Sequence, residues 1–141
     1  MNIETLLTDP KRKWDACPPA SDDAIEQLRL ASSLYHPEKY FELLRYSNGG
    51  EGPLALPPLY FMLYQAEYAA DLNQSSDQRE HHPEHFVFGS YGGLEAIAFD
   101  MRGEAPWPIV MYDPVAGTES CVRIADTMED FIQALGLKYE E

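Results

Sequence analysis

The chain has 141 residues, 45% of them apolar, which suits one domain with a single core and is too hydrophobic a composition for a disordered segment. Ten Lys and Arg against 24 Asp and Glu give a formal net charge of −14, which repels phosphate backbones and argues against nucleic-acid binding. The apolar runs are too short to cross a bilayer and Met1 to Asp9 has no basic flank, so no membrane role is expected and a cytoplasmic protein is.

Residues Met1 to Trp14 place Ile3, Leu6 and Leu7 at helical spacing and end in the basic cluster Lys11-Arg12-Lys13, a short helix or arm over residues 1–20 ahead of a domain over 21–138. Cys17-Pro18-Pro19-Ala20 breaks any helix. Ser21 can cap a helix over 22–34, with Asp22, Asp23 and Glu26 near the positive end of its dipole and Ile25 and Leu28 on one face. Pro37 starts a third helix whose Tyr40, Phe41, Leu43 and Leu44 form a broad apolar face. It stops at Tyr46-Ser47-Asn48-Gly49-Gly50-Glu51-Gly52, where either Asn48 or Gly49 can close it and the glycines can reach positive φ. This turn separates a helical first part from a strand-rich second part.

Leu54-Ala55-Leu56 and Leu59 to Tyr64 are strand candidates, the second rich in aromatics. Gln65 to Leu72 reads as a short helix, and Asn73 to His85 as a long polar surface loop with three histidines. Phe86 to Gly89 and Leu94 to Asp100 form a hairpin about Ser90-Tyr91-Gly92-Gly93. Alternation puts Glu95, Ile97 and Phe99 on one face and Leu94, Ala96, Ala98 and Asp100 on the other. Ile109 to Tyr112 and Glu119 to Ile124 are strands joined by a turn at Asp113-Pro114-Val115-Ala116-Gly117. A last helix begins with Asp126 as cap and Glu129 three residues on, buries Met128, Phe131, Ile132 and Leu135, and ends at Gly136. The pattern predicts an α+β fold, a curved antiparallel or mixed β-sheet with helices packed against it in a single domain.

The order of these features resembles the SUKH superfamily, which includes the fungal cell-wall-assembly regulator and many bacterial immunity proteins. The resemblance rests on His36-Pro37 leading into Glu38 to Leu44, then Ser47-Asn48-Gly49-Gly50, Phe86-Val87-Phe88-Gly89 with its glycine turn, the strand ending Phe99-Asp100, Pro108 to Tyr112, and Ile124 to Ile132. It covers roughly residues 20–137, with histidine at position 36 where the family usually has leucine. It implies an α+β fold and a non-enzymatic role, binding and neutralising a toxin that is often a nuclease, or acting as an intracellular adaptor. Asn48, Gly49, Gly50 and Gly89 match family positions and are expected to shape the backbone.

The residues themselves agree with a binding role. No nucleophile elbow, phosphate loop or dinucleotide fingerprint occurs, and neither Cys17 nor Cys121 sits where a thiolate would be activated, so no catalytic residues are expected. Both cysteines are expected to be free. His81-His82-Pro83-Glu84-His85 reads as a solvated polar loop, because Pro83 opposes a helical pair of ligands; no metal or cofactor is expected. A small-ligand or metal domain built on that loop is the third choice behind the two binding roles. Interface chemistry favours aromatics with a polar rim, which nominates Tyr91, Glu95, Asp100, Trp107 and Asp113. Residues 71–141 hold 4 basic and 14 acidic groups, so a basic protein partner, such as a toxin domain, is expected. The Lys11-Arg12-Lys13 arm docking on an acidic patch is a route to a homodimer.

Overall fold

Apolar spacing and local caps set the helices. The computed structural model describes residues 2–31, 38–93, 95–117 and 120–138. The His36-Pro37 step, residues 32–34, Leu94 and Glu119 lie outside them. Helix α1 (Ile3–Leu7) is capped by Asn2, whose Oδ1 accepts the Thr5 N–H at 3.0 Å, and buries Ile3 and Leu7. Helix α2 (Asp22–Ala31) is capped as expected by Ser21, which accepts the Ala24 N–H at 3.1 Å, and buries Ala24, Ile25 and Leu28. Helix α3 (Glu38–Tyr46) buries Tyr40, Phe41, Leu43 and Leu44.

Seven strands follow one another in space as in sequence: β1 (Asp15–Ala16), β2 (Gly50–Pro53), β3 (Tyr60–Leu63), β4 (His85–Ser90), β5 (Ala96–Asp100), β6 (Ile109–Tyr112) and β7 (Val122–Ala125). Among the described residues every pairing is antiparallel and the sheet is open, so of the expected antiparallel or mixed sheet it is the antiparallel form, within the predicted α+β class. Side chains alternate across it. Phe61, Leu63, Phe86, Phe88, Ile97, Phe99, Ile109 and Ile124 enter the main core with the helices, while Val87, Ala96, Ala98 and Tyr112 form a smaller cluster. Tyr40 of α3 meets Phe86, Phe88 and Phe99 edge-on, with ring centroids 5.5–6.1 Å apart, the geometry that aromatic quadrupoles prefer.

The last helix, α6 (Met128–Gln133), presents its expected stripe to this core, and Phe131 meets Phe61 edge-on at 4.9 Å. Its cap is Thr127, one residue later than expected: the Thr127 hydroxyl accepts the Asp130 N–H at 3.1 Å. Gly136 ends it at φ +79. The basic arm folds back here. Arg12 donates to the carbonyls of Gln133 and Leu135 at 2.9 and 2.6 Å, covering acceptors that the helix end leaves free.

Two segments differ from expectation. Leu54-Ala55-Leu56 is not a strand; Leu54 makes only an isolated bridge to Leu135, and the strand is the preceding Gly50–Pro53. Its residues lack apolar alternation, so pairing on both sides defines it rather than pattern. The predicted loop Asn73 to His85 is largely helical. Helix α4 (Ala66–Gln74) runs two residues past the expected end, and α5 (Ser76–His81) follows, capped by Ser75 Oγ on the Gln78 N–H at 3.2 Å. Gln78, His82 and His85 are buried, because α5 and the chain after it come down on the Tyr112 side of the sheet.

Candidate functional site

The glycine turn is a structural junction. Gly49 and Gly50 both have positive φ, +103 and +117, so Gly49 rather than Asn48 makes the turn out of α3. A Cβ on Gly50 would lie 2.6 Å from the Asp15 carbonyl oxygen, because β1 lies directly against it. Buried Ser47 accepts from Trp14 Nε1 at 3.2 Å and from the Cys17 N–H at 3.1 Å, and donates to the Gly49 carbonyl. Asn48 reaches across to α4, accepting the Ala66 N–H at 2.7 Å and donating to Glu67 at 3.0 Å. Gln65, at the N-cap position of α4, makes no side-chain cap, so Asn48 supplies it from outside the helix. Gly89 follows a bulge at Phe88, and a Cβ there would lie 2.5 Å from the Met62 carbonyl.

The five nominated surface residues do not converge. Tyr91 and Glu95 occupy the β4–β5 turn, half-buried, with the Tyr91 hydroxyl 3.5 Å from the Glu95 carboxylate. Asp100 closes β5 at its other end, held by Arg102 through bonds of 2.9 and 2.7 Å. Asp113 orders its own turn, accepting the Val115 N–H at 2.8 Å. Trp107 is buried at 7% exposure in the main core and donates to the Gly103 carbonyl at 2.9 Å, so its ring is no surface anchor.

A more exposed aromatic surface lies on α4 and β3. Tyr68 is 52% exposed and meets the Tyr64 ring edge-on at 4.7 Å. Register sets Met62 opposite Ser90, the residue before Tyr91, and Tyr64 donates its N–H to Phe88 O. Tyr64 and Tyr68 therefore pair between the end of β3 and the first turn of α4, beside Glu67 and Asp71, which are exposed on the same helix. Sequence reading missed Tyr68 because the alanines of that helix dominated its pattern. Ala66, Ala69 and Ala70 are buried on the helix, which leaves Tyr68 and Asp71 on its outer side. Other exposed apolar side chains lie apart from this pair, among them Leu30 on α2 and Val115, which is 95% exposed in the turn after β6.

The three histidines part ways. His81 is exposed beside Asp77, His82 Nε2 lies 3.2 Å from the Pro114 carbonyl, and His85 faces Asp100 with Nε2 and Oδ1 3.7 Å apart. Cys121 completes a group with these last two: one ligand atom from each of His85, Asp100 and Cys121 lies within 4.8 Å of the others. Burial holds the His85 imidazole below its ordinary pKa against the pull of Asp100, and burial pushes the Cys121 thiol up. The hydrogen bonds from Arg102 hold the Asp100 carboxyl below the usual range, and Asp100 in turn raises the guanidinium. A neutral thiol beside a neutral imidazole is not an activated nucleophile. Both cysteines are free, as expected.

Among the described residues no helix is long and apolar enough to cross a membrane. Comparison with curated proteins finds no relative that matches the chain. A sequence model of the SMI1 / KNR4 family (SUKH-1) matches residues 19–134, from the segment before α2 through the end of α6. That match and the open antiparallel sheet with helices agree with the resemblance in the sequence, and a binding or immunity role fits this family. The chain belongs to the SMI1 / KNR4 family, SUKH-1.

Proposed function

We propose that this protein is an immunity-type binding protein that neutralises a basic toxin domain by forming a stoichiometric complex with it. The observation that carries this reading is the partly exposed aromatic pair at the junction of β3 and α4, with acidic residues on the same helix. It combines Tyr68 and Tyr64, side chains of the kind that anchor interfaces, with Glu67 and Asp71 beside them on the helix. The chain carries a formal −14 charge, so a basic domain would be drawn in from a distance and then held by desolvated aromatic contacts. Occlusion of the toxin's own site is sufficient for this mechanism; it needs no turnover and no cofactor, and it would operate in the cytoplasm where the toxin acts.

The test is copurification with the product of the adjacent gene. A 1:1 complex with a basic domain whose toxicity is lost on binding supports the proposal. Copurification with an endogenous, non-toxic protein would instead identify a housekeeping adaptor and overturn it.

A further inference from the structure

We propose that His85, Asp100 and Cys121 form a binding site for a single zinc ion. Register places His85 directly opposite Asp100 on β4 and β5, and Cys121 immediately precedes β7, two strands beyond β5 in the same sheet. Their ligand atoms already lie within 4.8 Å of one another. Zinc bonds of about 2.0 Å to nitrogen and 2.3 Å to sulfur put tetrahedral ligands roughly 3.3–3.7 Å apart, so closing the site takes movement of about 1 Å.

An independent observation points to a missing ligand. The His85 side chain is 1% exposed, and neither ring nitrogen has a hydrogen-bond partner, although its nearest carboxylate oxygen is 3.7 Å away. A buried imidazole with both nitrogens unsatisfied is costly, and a metal on one of them removes part of that cost. The ligand set also selects the ion. Imidazole nitrogen and thiolate sulfur favour zinc over magnesium or calcium, and a thiolate with a carboxylate supplies two negative charges to a divalent ion. The thiol proton passes to solvent as the zinc–sulfur bond forms. Asp100 Oδ1 already accepts both the backbone N–H and the Nε–H of Arg102, whereas Oδ2 accepts one bond, from Arg102 Nη2, so Oδ2 is the oxygen with a lone pair left to coordinate. Arg102 then fixes the carboxylate's orientation. Asp100 and Cys121 are only partly buried, and Arg102 Nη2 lies beside them, 4.0 Å from Cys121 Sγ.

The site is tested on tag-free protein stripped with chelator and returned to zinc chloride, followed by calorimetry and metal analysis, with cobalt(II) as a spectroscopic substitute. The expected result is one equivalent of zinc, a raised Tm, and a thiolate-to-cobalt charge-transfer band. Cys121→Ser and His85→Gln should each weaken zinc binding at least about 10-fold and Cys121→Ser should abolish the band, while His81→Gln changes neither. Cys121→Ser sits at a partly exposed position and keeps the test valid if His85→Gln fails to fold. No uptake in excess zinc, or uptake that Cys121→Ser leaves intact and His81→Gln removes, would overturn the proposal.

Discussion

Asn48 Oδ1 accepts the backbone N–H of Ala66 at 2.7 Å, so the turn that ends one helix caps the start of another 18 residues later. The same side chain donates to Glu67. The turn therefore couples α3, β2 and α4. Asn48→Ala should destabilise the fold by about 1 kcal/mol, the ordinary value of a lost helix cap. Asn48→Asp keeps the acceptor and should lose less of the cap, although it faces Glu67. Urea unfolding of both variants checks this; an Asn48→Ala protein as stable as wild type would refute the capping role.

The glycines should separate sharply. Gly50→Ala meets both a positive φ and the Asp15 carbonyl, and should cost about 2 kcal/mol or more. Gly89→Ala meets the Phe61 ring and the Met62 carbonyl and should cost a similar amount. Gly103→Ala is the control, since nothing lies within 4 Å of its added Cβ, and should be neutral within about 0.5 kcal/mol. Thermal melts of the three would reveal any failure of this order.

Asn73 replaces a strand. Past Tyr64, whose N–H still donates to the Phe88 carbonyl, the chain leaves β4 for α4, and the Asn73 side-chain amide both accepts the Val87 N–H at 2.9 Å and donates to the Val87 carbonyl at 2.8 Å. Asn73→Ala leaves those backbone groups unpaired and should cost about 1–3 kcal/mol. Hydrogen exchange at Val87 gives the local readout: its amide should lose protection in the variant, and unchanged protection would count against the assignment.

Trp107 belongs to stability. Trp107→Ala should lose about 3–5 kcal/mol from cavity formation, and Trp107→Phe less. Trp107→Phe, still folded, should bind a partner with unaltered affinity. A selective loss of affinity at full stability would return Trp107 to the interface.

The strands that alternate or run apolar were legible in the sequence: the apolar run Ile109 to Tyr112 coincides with β6, and the Ile97/Phe99 and Ala96/Ala98 faces divide as the alternation predicts. Helix α6 was legible to within a residue at its cap, where two adjacent residues, Asp126 and Thr127, both have capping side chains. Strand β2 was not, because Gly50-Glu51-Gly52-Pro53 has no pattern and owes its conformation to pairing with β1 and β3. Helix α5 was hidden by polarity: Ser76 to His81 reads as a loop, yet Gln78 turns inward and donates to the carbonyls of His82 and His85. The gathering of His85, Asp100 and Cys121 is tertiary, since each residue comes from a different segment. The role of Asn48 is equally long-range, so its position was legible and its work was not.

The most direct measurement is the association rate of this protein with a basic domain recovered by copurification, followed across ionic strength for wild type, Tyr68→Ala and Asp71→Lys. The expected result is a 1:1 complex whose association slows steeply with salt, more slowly formed by Asp71→Lys and at least about 10-fold weaker in Tyr68→Ala through faster dissociation. A rate independent of salt and unchanged in both variants would contradict it.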